Sequence, residues 1–334
     1  VVTIKEVAKV AGVSTATVSR VVNGQGKVGD QCRARVTKII KELGYRTNHV
    51  AVIHRKNEAK MIGLVTPKIS MAFFGLLAAG AEEMARELGA NLLICNSLYE
   101  VESEINAIHA LVAQGCQSII LHSEYSESEQ LIKLCKEVPG LVIINRFIPE
   151  ISERCVWFDN NSASQACTNY MIDKGHRDFA VVSSIYQNGD PCARLLGVKQ
   201  ALLLRGITLS DDLLVEAGAN IDGGMDATQE LLDKGKPFTA IIAFNDLMAI
   251  GAIHTLHKAG IRVPEDVSVF GFDDLPMAKA CLPQLTTMNY PIEGMAKYAV
   301  ELSLSLVKDA PKHAKQTHLF VADLIERGSV TEPK

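Results

Sequence analysis

From Met61 onward, apolar runs of about four residues recur, and each is followed by a longer amphipathic stretch. Ile62-Gly63-Leu64-Val65 precedes a helical pattern from Phe74 to Leu88. Leu92-Leu93-Ile94-Cys95 precedes one near Glu102 to Ala113. Ser118-Ile119-Ile120-Leu121 leads to Glu127–Cys135 and then to Leu141-Val142-Ile143-Ile144. A second set runs Phe179-Ala180-Val181-Val182, a helix near Cys192–Arg205, Ala240-Ile241-Ile242-Ala243, Leu247–Ala259 and Val267-Ser268-Val269-Phe270. Strands that are apolar on both faces and alternate with helices build parallel sheets covered on both sides. Two such sets predict two lobes, each with its own parallel sheet. Open α/β sheets take ligands beyond the carboxyl ends of their strands. The segments there are 66–74, His122-Ser123, Asn145-Arg146, 183–194, Asn245-Asp246 and Phe272-Asp273-Asp274, polar and aromatic in the way a sugar-sized polyol requires.

The first sixty residues are of a different kind. They hold twelve Lys/Arg against four acids, a net of +8, while the rest of the chain carries 22 against 34, a net of −12. A small cationic module on an anionic body suggests a reader of polyanions. Thr3 can cap a helix whose Ile4, Val7, Ala8 and Ala11 share one face. Gly12 interrupts it. Ser14 caps a second helix, from Thr15 to Val22, which Asn23-Gly24 ends. Two short helices joined by a glycine turn form a helix-turn-helix. A third, from Asp30 to Leu43, turns Cys32, Val36, Ile39, Ile40 and Leu43 inward. With Val18 and Val21 buried, Thr15, Ala16, Ser19 and Arg20 face outward at the end where a recognition helix meets base edges. Arg20 alone there can make a bidentate contact to guanine. Ser14, Thr17, Ser19 and the basic residues of the third helix are the expected phosphate contacts, which position the module without reading sequence.

The run Thr3-Ile4-Lys5-Glu6-Val7-Ala8, with Ala11-Gly12-Val13-Ser14, then Thr17-Val18-Ser19-Arg20-Val21-Val22-Asn23, resembles the LacI/GalR family of bacterial transcription regulators. The body is similar too, at Phe244-Asn245-Asp246, Met248-Ala249, Gly251-Ala252, Val263-Pro264, Asp266-Val267-Ser268-Val269, Gly271-Phe272-Asp273-Asp274 and Pro283-Gln284-Leu285-Thr286-Thr287. The resemblance implies a DNA-binding domain at 1–46, a hinge at 47–60 and a periplasmic-binding-protein-like sensor at 61–334. The first lobe is expected at about 61–157 and 288–316, the second at about 158–287 and 317–330. It implies a homodimer reading a pseudo-palindromic operator, paired through the region 75–88 and that near 247–281. Operator contacts are expected from Thr3, Ser14, Thr15, Ala16, Thr17, Ser19, Arg20 and Asn23, and from Asn48, Ala51 and His54 of the hinge. Sugar contacts carried over are Arg194, Asn245 and Asp273, with Phe73, Phe74, His122 and Asn145 lining the same cleft. Asn145-Arg146-Phe147-Ile148-Pro149 and Asn289-Tyr290-Pro291 resemble the galactose-responsive branch, making a galactose-like sugar the first ligand. The chain departs from the pattern in the hinge, where Thr47 replaces Pro, Val52 replaces Arg and His54 replaces the wedging Leu. Weaker bending of DNA, or weaker operator affinity, is expected. The Asp-Pro usual before Phe73 is missing as well, so one polar cleft contact is absent.

No Gly-x-Gly-x-x-Gly follows the first strand of either lobe, and no Walker, His-Glu-x-x-His or Gly-x-Ser-x-Gly motif occurs. No catalytic residue, cofactor or metal is therefore expected. A sugar transport protein and an α/β sugar-metabolising enzyme are the rival readings. Eight scattered Cys without a Cys-x-x-Cys pair suggest buried, reduced thiols. Val1 to Glu6 lacks an apolar secretory core and no apolar run is membrane-length, so a cytoplasmic, nucleoid-associated bacterial protein without membrane partners is expected. The absence of leucine heptads after Arg327 favours a dimer over a tetramer.

Overall fold

Gly12, at φ +64°, lets the chain leave α1 (Ile4–Ala11) and enter α2 (Thr15–Val22) after a three-residue turn. The Oγ of Ser14 accepts the backbone N–H of Thr17 at 3.1 Å, so the cap read from sequence is formed. Val7, Ala8, Ala11, Val18 and Val21 pack with Val36 of α3 (Asp30–Glu42), and Cys32, Ile39, Ile40 and Leu43 close around them. The computed structural model describes residues 4–22, 28–43, 60–186, 189–308 and 318–334. It divides into two units, 1–59 and 60–334. Thr3 and Asn23 lie outside the described residues, as do the hinge positions Thr47, Asn48, Ala51, Val52 and His54. The expected hinge also loses its last residue, because Lys60 already pairs with Ala90.

The second unit contains two six-stranded sheets of one topology. In chain order the first lobe is β1 (Lys60–Thr66), α4 (Ala72–Glu87), β2 (Ala90–Asn96), α5 (Val101–Ala113), β3 (Ser118–His122), α6 (Ser128–Glu137), β4 (Gly140–Ile144) and β5 (Cys155–Phe158). The second lobe follows with α7 (Asn160–Asp173), β6 (Phe179–Ser184), α8 (Asp190–Leu204), β7 (Leu214–Ala217), α9 (Ile221–Asp233), β8 (Ala240–Ala243), α10 (Asp246–Lys258), β9 (Ser268–Asp273) and β10 (Thr286–Asn289). Then α11 (Ile292–Lys308) returns to the first lobe, and β11 (His318–Phe320) and β12 (Asp323–Ile325) close the two sheets. Strand orders are β11-β5-β4-β3-β1-β2 and β12-β10-β9-β8-β6-β7. In each sheet the order reverses beside the first strand, which opens a crevice at the carboxyl ends.

Three expectations need correction. The second sheet is not wholly parallel, because β12 runs antiparallel to β10. Only Val321 and Ala322 separate β11 from β12, so the chain continues straight into the second sheet and meets β10 running the other way. The lobe boundaries shift for the same reason. β10 pairs with β9 as far as Asn289, and β11 pairs with β5 from His318, so the crossings fall after Asn289 and after Phe320 rather than at 288 and 317. Lastly, the thiols are all free but not all buried. Cys192 is exposed, and Cys32, Cys95 and Cys281 are half-buried.

Candidate functional site

A cleft opens where the carboxyl ends of the two sheets meet. Six of the seven ligand positions expected from sequence line it: Phe73, Phe74, His122, Arg194, Asn245 and Asp273. Arg194, on the first turns of α8, is buried rather than a surface residue of its helix. Its guanidinium lies over the Phe272 ring at 3.7 Å. Nε donates to Asn160 Oδ1 at 2.7 Å and Nη1 to the Phe244 carbonyl at 2.7 Å. Nη2 stands 3.2 Å from Asp273 Oδ1 and 3.8 Å from Asp190 Oδ2. Five bonds and contacts thus orient one planar cation before any ligand arrives.

Asp273 ends β9 at φ +107°, a strained conformation for a residue with a side chain, costing on the order of 1–3 kcal/mol. It caps no helix. Burial pushes its carboxyl up to about 7 against the pull of Arg194, with Asp190 adding to the rise. Its buried Oδ1 has no hydrogen-bond partner among the described residues, although Arg194 lies within ion-pair range. His122, at the end of β3, is 1% exposed, and burial lowers its pKa to about 4. The Asn145 amide nitrogen, a donor only, lies 3.2 Å from its Nε2. The ring proton is therefore assigned to Nδ1, which also has no hydrogen-bond partner among the described residues. The His122 Nδ1–H is where a ligand's hydroxyl gains most, since leaving such a group unmet costs about 1–3 kcal/mol.

Two expected residues do less than foreseen. Asn145 is not on the cleft wall. Its amide donates to Asp190 Oδ2 at 2.7 Å and its oxygen accepts the Tyr290 hydroxyl, so it ties the first lobe to the second instead. Asn245 lines the cleft but spends its amide on structure. Oδ1 caps α10 at Met248 N–H (2.9 Å), and Nδ2 donates to the Ala219 carbonyl at 3.2 Å. Other lining residues were not singled out from sequence: Met71, Tyr99, Glu124, Tyr186, Asp190 and Phe244. Met71, Tyr186 and Asp190 fall within the segments marked at the strand ends, and Phe244 and Glu124 are each one residue outside them. Tyr99, from the loop after β2, stacks on Tyr186 from the other lobe at 5.2 Å and 15°. No local pattern signals that pairing.

In the first unit, Ser14, Thr15, Ala16 and Arg20 are exposed, while Thr17 and Ser19 are half-buried. The ion pair of Glu42 is with Lys38, at 3.8 Å, not with Arg20. Arg35, Lys38 and Lys41 are exposed along α3.

Residues 3–48 match the model for bacterial regulatory proteins of the lacI family, and residues 168–330 match a periplasmic binding protein-like domain. The transcriptional regulator GalR of Salmonella typhimurium is 37% identical over 331 residues, covering 99% of this chain and 96% of the relative. The chain belongs to the LacI family. GalS of Salmonella typhimurium is 38% identical over 329 residues, 98% of this chain and 96% of that one. Among solved structures, the lac repressor dimer bound to operator and an anti-inducer superposes with TM-score 0.75 at 25% identity, covering 99% of both chains. The CelR regulator in complex with cellobiose gives 0.71 at 28% identity, with 98% of this chain and all of that one covered. As a LacI-family member this chain is a DNA-binding transcriptional repressor, and these relatives are regulators rather than enzymes. No helix among the described residues is long and apolar enough to cross a membrane.

Proposed function

We propose that the repressor is controlled by a galactose-like sugar held in the cleft between its lobes. The observation that carries this reading is Arg194, fixed over Phe272 between Asp190 and Asp273 and opposite the Phe73 and Phe74 rings. A guanidinium and a carboxylate side by side take paired hydroxyls, and aromatic faces cover the apolar side of a pyranose. Similarity to GalR and GalS supports the galactose-like choice. Phe73, Phe74, His122, Arg194 and Asp273 touch the sugar, while Asn245 and Asn145 hold the walls. Thr15, Ala16 and Arg20 read bases from α2. Ser14, Thr17 and Ser19 bind phosphates, and Thr3, Asn23, Asn48, Ala51 and His54 complete the operator contacts.

One recognition helix reads only a few base pairs, so the working unit is a homodimer on a pseudo-palindrome. The domains are 1–46, a hinge, and the sensor body, and the protein works in the bacterial cytoplasm on chromosomal DNA. Sugar favours the closed lobes and weakens operator binding by the usual coupling of about 1–3 kcal/mol, roughly 5–150-fold. Titration of the full chain against a labelled palindromic duplex tests this. Affinity is expected to fall steeply with salt, because phosphate contacts release counterions. Galactose should release the duplex, and Asp273→Ala should abolish that release. An Arg20→Ala chain should lose about 1–3 kcal/mol of preference for operator over scrambled duplex. Release by galactose that persists unchanged in Asp273→Ala overturns the cleft assignment.

A further inference from the structure

Two cross-lobe contacts of different character span the cleft. One is buried: the Tyr290 hydroxyl donates to Asn145, and the Asn145 amide donates to Asp190 at 2.7 Å. Tyr290 is 3% exposed, so packed side chains shut that side. The other is half-exposed: Tyr99, from the loop after β2, stacks on Tyr186, from the loop after β6, at 5.2 Å and 15°. The groups able to grip a sugar, His122, Arg194 and Asp273, are buried, whereas Met71, Tyr99 and Tyr186 of the same cleft are only half-buried. The stacked rings therefore stand on the solvent side of the gripping groups.

The first lobe holds its half of this stack in place from several directions. Leu98 and Tyr99 lie at φ +54° and +63°, a left-handed pair that bulky side chains rarely adopt. The backbone N–H groups of Ser97 and Leu98 donate to the carbonyls of Thr66 and Pro67 at 2.9 and 3.0 Å, which ties this turn to the end of β1. The Tyr99 hydroxyl donates to Met71 Sδ at 2.9 Å, and the Tyr125 ring meets Tyr99 edge-on at 6.2 Å. On the other side, the Tyr186 backbone N–H donates to Ser184 Oγ at 3.2 Å. Tyr99 spends its hydroxyl proton on a thioether, so it keeps no donor for a ligand. A second sugar ring crossing here would have to part the stacked rings, and its hydroxyls would exchange water for aromatic surface.

We propose that Tyr99 and Tyr186 determine ligand specificity by closing over a single pyranose, so that the effector is a free monosaccharide and disaccharides are excluded. This rests on the sugar-cleft reading above and adds the size class of its ligand. A disaccharide holds the stacked rings apart, and a ligand that cannot engage the closed lobes cannot favour them over the open ones.

The test compares galactose and glucose with lactose, melibiose, cellobiose and maltose, using the full chain and a labelled operator duplex. Melting point and release of duplex are read together. Half release should need at least about tenfold less of the better hexose than of any disaccharide. Tyr186→Ala should bring that ratio below about threefold, and Tyr186→Phe, which keeps the ring, should retain most of it. Selectivity is read first on the unmodified chain, so a variant that misfolds leaves the test intact. A disaccharide that releases duplex as readily as the better hexose overturns the inference and leaves the sugar cleft standing. A ratio unchanged in a folded Tyr186→Ala chain overturns the role of the stacked rings. If neither hexoses nor disaccharides shift the melt or release DNA, the sugar reading itself fails.

Discussion

The first lobe brings Phe73, Phe74, Tyr99, His122 and Glu124 to the cleft, and the second brings Tyr186, Asp190, Arg194, Phe244 and Asp273. One topology built twice has thus produced unlike walls. The second is cross-linked within itself: Arg194 is bonded to Asn160 and Phe244 and paired with Asp273. The first is packed through ring contacts, Phe74 against Phe73 and His122, and reaches the second through a few contacts that cross the gap, such as Asn145 to Asp190 and Tyr99 on Tyr186. The charged half is therefore preorganised, while closure rests on a small number of cross-lobe contacts that a ligand can add to or replace. Such a division suits a switch, because a ligand shifts two states only by what it contributes differently to each.

Removing the cation of the second wall should break this contrast most severely. Arg194→Ala leaves Asp190 and Asp273 buried beside each other without compensation. A loss of about 3–5 kcal/mol in denaturant unfolding is expected, together with loss of the sugar response. A variant as stable as the parent would mean that the second wall is not held by this charge.

A second expectation concerns pH. Burial pushes Glu124 up to about 8 and Asp273 up to about 7, with Asp190 also raised and Arg194 opposing in each case. Ordinary carboxyls in the unfolded chain release their protons near pH 4. Between about pH 4 and 8 the folded state therefore binds more protons, and stability should fall as pH rises, by up to about 1.4 kcal/mol per unit for each such group. Unfolding measured from pH 5.5 to 8 checks the sign. Glu124→Gln should flatten the slope by one proton. Stability that climbs with pH across this range would contradict the buried-carboxyl account.

The smallest effect should come from the cross-lobe stack. Tyr186→Ala removes the ring that Tyr99 lies on, and ring pairs contribute about 0.5–1.5 kcal/mol beyond their area. Global stability should drop by no more than that. The sugar concentration needed for half release should change too, because the stack exists only across the gap. A change in stability without any change in release would place the stack outside the switch.

Legibility differed between the units for physical reasons. In the first, Val7, Val18, Val21 and Val36 repeat at helical spacing, and Ser14 and Gly12 mark ends that local chemistry enforces. In the body, the strands near 62, 119 and 142 stood out because both of their faces are buried, and the one near 93 because its run is apolar, although it is a half-exposed edge strand. The expected pattern omitted α7 and α9, whose buried faces are mostly small or polar: Ala163, Ser164, Cys167 and Thr168 in one, with Met171 and Ile172 only in its last turn, and Gly223, Gly224, Ala227 and Thr228 in the other, with Leu231 alone as a large apolar residue. A β-carbon on Gly224 would lie 2.2 Å from the Met248 carbonyl oxygen, so α9 and α10 touch almost backbone to backbone. Close approach of that kind selects small residues, which carry little hydrophobic signal. The short edge strands β7, β11 and β12 escaped because three or four residues are too few to show a period.

Read alone, the sequence determined the helix-turn-helix, the two alternating lobes and which loops meet at the strand ends, since periodicity and caps act over a few residues. Tertiary structure decided which side chains share the cleft. It brought Glu124 into a site with Asp190 and Asp273, turned Asn145 into a cross-lobe tie and spent Asn245 on a cap. Burial and the pairing of distant charges arise only when segments far apart in the chain are packed together, and no spacing in the sequence encodes them.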